Sequence, residues 1–144
     1  MNGFWRLNGN DLYTTYGAVL LRGTNREVLT PPAIKRRSEY NYQDSNGVVV
    51  DKTSPVAFEA RRYALPIVIV ASDKPTFWQK YNSLMGELAK PGEFTLYIKE
   101  IGVTLNLLYE GMSVKSSMFK SDKITVEYDL HVLEADPTSR VYGE

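Results

Sequence analysis

The chain has 144 residues, enough for about one domain, and a chain of that size buries roughly two thirds of its unfolded surface. Hydrophobic residues make up 43%, which excludes a disordered chain, and 17 basic against 17 acidic residues leave no net charge to draw it to nucleic acid or an anionic membrane. There is no cysteine, so disulfides, thiolate nucleophiles and zinc–thiolate sites are excluded together.

A neutral chain has little colloidal repulsion, which suits association with copies of itself. The lack of cysteine fits a reducing compartment. The opening MNGFWRLNGNDLY has no basic region ahead of an apolar stretch, so no signal peptide is expected. The longest apolar run, Ala64 to Ala71, is too short to span a bilayer. The expectation is a soluble protein, cytoplasmic where it is made, with no membrane partner.

In chain order, Phe4 to Leu7 is followed by the turn residues Asn8-Gly9-Asn10-Asp11, which favour the left-handed conformations of tight turns. Gly17 to Leu21 then reads as a short buried strand, and Pro31-Pro32 as an extended edge before Ile34. Residues 40 to 56 read as a polar loop or hairpin turning at Asp44-Ser45-Asn46-Gly47. Tyr40, Tyr42, Val48, Val49 and Val50 have strand propensity there but no core-directed alternation. An extended hairpin carrying apolar residues with no evident burial is a candidate intersubunit arm.

Ala57 to Ala71 is the most strand-like portion, with Phe58, Ala60, Arg62 and Ala64 on one face and Glu59, Arg61, Tyr63 and Leu65 on the other. Pro66 lacks an amide donor and marks a bulge or an edge position, and Ile67 to Val70 follows as a strand buried on both faces. A helix is predicted at about 75–89. Ser72 or Asp73 caps it, Pro75 suits its first turn and Pro91-Gly92 stops it. Phe77, Trp78, Tyr81, Leu84, Met85 and Leu88 form one helical stripe, read as the face that covers the domain's own core.

The remainder reads as antiparallel β: a hairpin from Glu93 to Glu110 turning at Glu100-Ile101-Gly102, then Gly111 to Val114 leading through Ser116-Ser117 to a last strand. In that strand Ile124, Val126, Tyr128, Leu130 and Val132 alternate with mostly polar residues, so one face is buried. Residues 1–134 are expected to form a single β-rich domain, an antiparallel sandwich or split barrel with one flanking helix, and residues 135–144 a frayed tail.

Chemistry is sparse. His131 is the single histidine and shares a strand face with Glu127 and Asp129, the pattern of a solvated sheet face; a catalytic role requires it to be buried against a carboxylate and a serine. No nucleophile-elbow pattern and no glycine-rich phosphate loop is present. Lys35-Arg36-Arg37 lies near Tyr40 and Tyr42, which is the composition of a base-stacking surface, but Glu39 and Asp44 offset the charge locally. Arg61-Arg62 suits ion pairs at an interface. No catalytic residue, cofactor or metal site is expected. Arg36, Arg37, Tyr40, Tyr42, Val48, Val49 and Val50 are the candidate intersubunit contacts.

The opening FWRLNGNDLYTTYGAVL, a proline-terminated strand at Leu29-Thr30-Pro31-Pro32, the Asp44–Gly47 turn, a long strand, one helix and two closing hairpin-like units resemble bacteriophage tail proteins. The nearest likeness is to the ring-forming N-terminal domain of distal tail proteins and, more loosely, to tail-tube proteins. Phe4, Leu7, Asn8-Gly9, Tyr16-Gly17 and Asn46-Gly47 occupy the matching positions. The basic glycine loop common in that family is acidic and polar here, as Asp44-Ser45-Asn46-Gly47. The resemblance implies a structural subunit of a hexameric ring around a channel, with neighbouring tail proteins as partners and DNA only as cargo. It implies a place in the host cytoplasm before assembly and in the virion tail afterwards, with the 40–56 arm reaching a neighbour. The other reading of the residues is a binding module for a small ligand or carbohydrate, with Trp5, Tyr13, Tyr16 and Tyr109 lining its site.

Overall fold

A computed structural model describes residues 3–35, 39–40, 49–50 and 57–143. The chain opens with a tight hairpin between β1 (Trp5–Leu7) and β2 (Asn10–Asp11). Asn8 and Gly9 both take positive φ, 50° and 85°, and Leu7 faces Asn10 directly, as the Asn-Gly pair predicts for a two-residue turn. Asn8 also ties this turn to its neighbours: its side chain accepts from the Thr95 amide at 2.8 Å and donates to Glu87 at 2.6 Å.

The expectation of a single helix needs correcting, because two short helices precede the long one. Helix α1 (Leu12–Tyr16) is capped by the Asp11 carboxylate accepting from the Thr14 amide, and ends at Gly17 with φ 62°. Strand β3 (Ala18–Leu20) follows, within the Gly17–Leu21 stretch read as a strand. Helix α2 (Thr24–Leu29) takes in Leu29, the first residue of the Leu29–Pro32 stretch that read as a proline-terminated strand; Thr30 and the two prolines follow a helix instead. With five and six residues, both are too short for periodicity to register.

Two further short strands, β4 (Glu39–Tyr40) and β5 (Val49–Val50), pair with each other. Strand β6 (Arg61–Ala71) buries Tyr63, Leu65, Ile67, Ile69 and Ala71, and leaves Val68 and Val70 half-buried on the other face, where burial on both was expected. Pro66 sits where its missing donor matters least. The Leu21 amide donates to the Pro66 carbonyl at 2.8 Å, and β3 runs out there, leaving β6 without a partner on that side among the described residues.

Helix α3 (Lys74–Leu88) has Asp73 as its N-cap, accepting from the Thr76 amide at 2.8 Å, and packs on β6. Phe77, Leu84 and Leu88 are buried, each stabilising the fold by roughly 1.5–3 kcal/mol. Tyr81 and Met85 are half-buried, but Trp78 stands out in solvent, so the core does not absorb the whole stripe.

Strand β7 (Phe94–Ile98) turns tightly into β8 (Val103–Phe119), a 17-residue strand where the sequence suggested a break near Gly111. The break is two bulges. Tyr109 faces Val132 and Gly111 faces His131, leaving Glu110 extra; Val114 faces Tyr128 and Ser116 faces Glu127, leaving Lys115 extra. Strand β9 (Ile124–Glu134) buries every second residue, as its alternation predicts. The last strand, β10 (Val141–Tyr142), pairs with Thr104 and Val103 of β8.

The main sheet is antiparallel and open, running β2-β1-β7-β8-β9-β6-β3, with β10 beside β8. Strand β8 belongs to both halves: Val103–Leu107 pairs with β7, and Leu108–Phe119 with β9. Buried side chains from the two halves, including Leu96, Ile98 and Leu105 on one side and Leu65, Ile67 and Val126 on the other, join α3 in one core. This is the β-rich sandwich with flanking helix expected from the sequence.

Candidate assembly surface

Of the candidate intersubunit residues, Tyr40, Val49 and Val50 fall in the β4–β5 pair, with Glu39 facing Val50 and Tyr40 facing Val49. Arg36, Arg37, Tyr42 and Val48 lie outside the described residues, as does the Asp44–Gly47 turn. The stem from which this segment departs is built by Ile34 bridging Phe58, the Lys35 amide donating to the Ala57 carbonyl at 2.8 Å and the Glu59 amide to the Ala33 carbonyl at 2.7 Å. Leu29, Ile34 and Phe58 are all exposed beside it.

Arg61 anchors the stem to the domain. Its guanidinium donates to the carbonyls of Thr30 at 2.7 Å and Pro31 at 3.2 Å, and stacks over the Tyr63 ring at 5.0 Å. Arg62 lies 3.3 Å from Glu110. These contacts are made within the chain, so the ion pairs that two adjacent arginines suggested for an interface are here intramolecular.

A second surface lies on the opposite flank of the sheet. Strand β7 ends opposite Leu107, so beyond that residue β8 has β9 on one side and, among the described residues, no strand on the other. Ser113 to Phe119 is exposed throughout. Its two bulges carry charge, with Glu110 near Arg62 and Lys115 at 3.9 Å from Glu127.

The segment after Ala135, expected to fray, is clasped instead. Arg140 donates to both oxygens of the fully buried Glu134, at 2.8 and 2.9 Å, to the Tyr63 hydroxyl at 2.8 Å and to the Val28 carbonyl at 3.0 Å. The Tyr63 hydroxyl donates to Glu134 at 2.6 Å. Burial first, then the bond to Glu134, pushes the Tyr63 hydroxyl up to about 12, while the bonds to Glu134 raise the Arg140 guanidinium. Nothing in the sequence marks this clasp beyond an Arg six residues after a Glu.

His131 is exposed and meets the Ser113 hydroxyl at 3.3 Å, with no carboxylate on its ring among the described residues; the buried triad that catalysis requires is not assembled. No three metal-ligating side chains gather among the described residues, and no helix there is long and apolar enough to cross a membrane. The four aromatics of the binding-module reading do not converge. Tyr16 is buried, Tyr13 lines a depression with Gly17 and Lys80, and Trp5 lines another, of about 420 Å³, with Phe4, Arg22 and Asn25.

No family model matches the sequence, and no curated protein is similar to it. Among solved structures, the chain is similar to the Dit (gp 19.1) protein of SPP1, described as a paradigm of the hub adsorption apparatus in phages that infect Gram-positive bacteria. The two superpose with a TM-score of 0.61 over 93% of this chain at 14% identity. The likeness is one of fold, in agreement with the resemblance to distal tail proteins carried by the sequence. The chain spans about half the length of that protein, 50% of which is covered.

Proposed function

We propose that the chain is a structural subunit of a phage tail or tail-like assembly, and that it works by associating with copies of itself in a ring around a channel. The observation that carries the reading is the likeness of fold to the SPP1 hub protein across 93% of this chain. Fold alone hosts many functions, so the surface has to support it as well. An edge of β8 without a strand partner beyond Leu107 among the described residues, on the flank of the sheet opposite the exposed Leu29, Ile34 and Phe58, favours head-to-tail contact. Contacts of that kind close into rings when the rotation allows, and closure removes the open edges.

In this reading six copies form the ring, a number taken from the resemblance to distal tail proteins. The 40–56 arm, with Tyr40, Tyr42 and Val48 to Val50, contacts a neighbour, and Arg36 and Arg37 before it add to the contact. No residue is catalytic, other tail proteins are the partners, and DNA passes only as cargo. The protein is made in the host cytoplasm and ends in the virion tail. Electron microscopy of the concentrated protein tests the ring: annular particles with a central opening are expected, and fields without closed particles at any concentration overturn it.

A further inference from the structure

Helix α2 and the segment from Ala135 to Gly143 both fold on little apolar burial. The helix buries Thr24 and Val28 alone and has no side-chain cap at its N-terminus among the described residues. The segment buries Pro137 alone, and Val141 and Tyr142 of β10 are exposed although they pair with β8. Elements with so few buried apolar contacts open at lower free energy than a core does, so polar bonds decide how firmly they are held.

One side chain serves both elements. Arg140 of the segment donates to the Val28 carbonyl in the last turn of α2, and also to Glu134 at the end of β9 and to the Tyr63 hydroxyl of β6. From the other side Arg61 donates to the carbonyls of Glu27 at 3.5 Å, Thr30 at 2.7 Å and Pro31 at 3.2 Å. Tyr63 therefore carries Arg61 on its ring face and Arg140 at its hydroxyl. The last carbonyls of a helix have no partner within the helix. Here two arginines supply those of Glu27 and Val28, and their charge suits the negative end of the helix.

Beyond α2 the chain runs through Thr30, Pro31 and Pro32 straight into Ala33 and Ile34, which meet Phe58 and Glu59 in the bridge that flanks residues 40–56. The carbonyls that Arg61 holds therefore lie on the path from α2 to that bridge. Arg140, which holds α2 from the other side, belongs to the C-terminal segment.

We propose that the segment 135–143 is a latch: closed, it fixes α2 and the Ile34–Phe58 bridge to the Arg61 end of β6; open, it releases segment, helix and bridge as one unit while the sheet stays formed. The inference does not depend on the self-association reading above. The sheet has its own support, since β6 and β9 pair along their whole length and bury Leu65, Ile67, Ile69 and Val126 away from the latch. Glu134 ends β9 and Arg140 lies in the segment, so opening takes both charges into water together and leaves neither buried alone.

Amide exchange in the native protein, followed residue by residue by NMR in low urea, reads the opening. On the segment the reporters are the amides of Ser139, bound to the Asp136 carbonyl, and Gly143, bound to that of Gly102. On the helix side they are Thr30, bound to Arg26, Lys35, bound to Ala57, and Glu59, bound to Ala33. The latch predicts that these amides open with one free energy and one urea dependence, both below those of the β6–β9 ladder. Asn106→Ala then loosens the segment alone, because Asn106 makes its side-chain hydrogen bonds to Ser139 and none to α2. Losing them is expected to speed every reporter, on both sides, by a common factor of about three to ten. Asp136→Ala, which removes the bonds to the Thr138 amide and hydroxyl, repeats the test at an exposed position. Faster exchange at Ser139 and Gly143 with Thr30, Lys35 and Glu59 unchanged overturns the latch, and so do helix-side amides that open only together with the ladder.

Discussion

Arg140 closes the C-terminal segment onto the domain with four hydrogen bonds, and Glu134 beneath it is fully buried. Removing one partner of such a pair leaves a buried charge without compensation, so Arg140→Ala is expected to lower unfolding stability by about 3–5 kcal/mol in urea titration. Adding Glu134→Gln to that variant removes the stranded charge and recovers part of the loss. The same cluster predicts a response to alkali. A tyrosine held at about 12 in the folded protein, above its ordinary 10, binds its proton more tightly folded than unfolded. Its contribution is therefore full below pH 10 and is lost as pH rises to about 12; melting curves across that window should fall more steeply for the parent than for Tyr63→Phe. None of this was legible in the sequence, because a lone Arg beyond a strand end carries no period, and its partners Val28 and Tyr63 are distant along the chain.

At the scale of elements, alternation and capping were informative wherever a segment was regular. Strand β9 shows its buried face as a period of two, the Asn8-Gly9 hairpin carries its own turn chemistry, and α3 is announced by Asp73, Pro75 and its stripe. Reading failed at irregularities. Two bulges in β8 shift the alternation, and α1 and α2 are too short to repeat anything. The stripe of α3 also misled in one respect, since hydrophobic spacing does not say how far the opposing layer extends, and Trp78 lies past its edge. Leu84→Ala, at a fully buried position, is expected to cost about 2–5 kcal/mol. Trp78→Ala is expected to cost well under half as much; equal losses of stability contradict the placement of Trp78 outside the core. Gly17 ends α1 at a positive φ, and an added Cβ there meets the Val70 carbonyl at 3.0 Å and Lys80 Cδ at 2.5 Å. Gly17→Ala is expected to cost about 1–3 kcal/mol through strain, read as a lowered melting temperature.

For the whole molecule, an open antiparallel sheet folded about β8 leaves its two flanks unlike one another. One carries the Ile34–Phe58 bridge with the exposed Leu29, and the other the length of β8 that has β9 alone as partner among the described residues, with Phe119 and Trp78. In the proposed assembly unlike flanks meet, so the contact repeats from copy to copy, which is the geometry of a ring or a filament, not of a two-fold dimer. The pairing of Glu39–Tyr40 with Val49–Val50 agrees with the strand propensity of that stretch; the exposed length of β8 was not legible, because it arises from where the pairing with β7 ends. The most direct test of the account is the mass in solution, by sedimentation equilibrium across a hundredfold range of concentration. The account predicts a discrete species several times the 16.3 kDa of one chain, dissociating on dilution; a single species of 16.3 kDa over the whole range contradicts it.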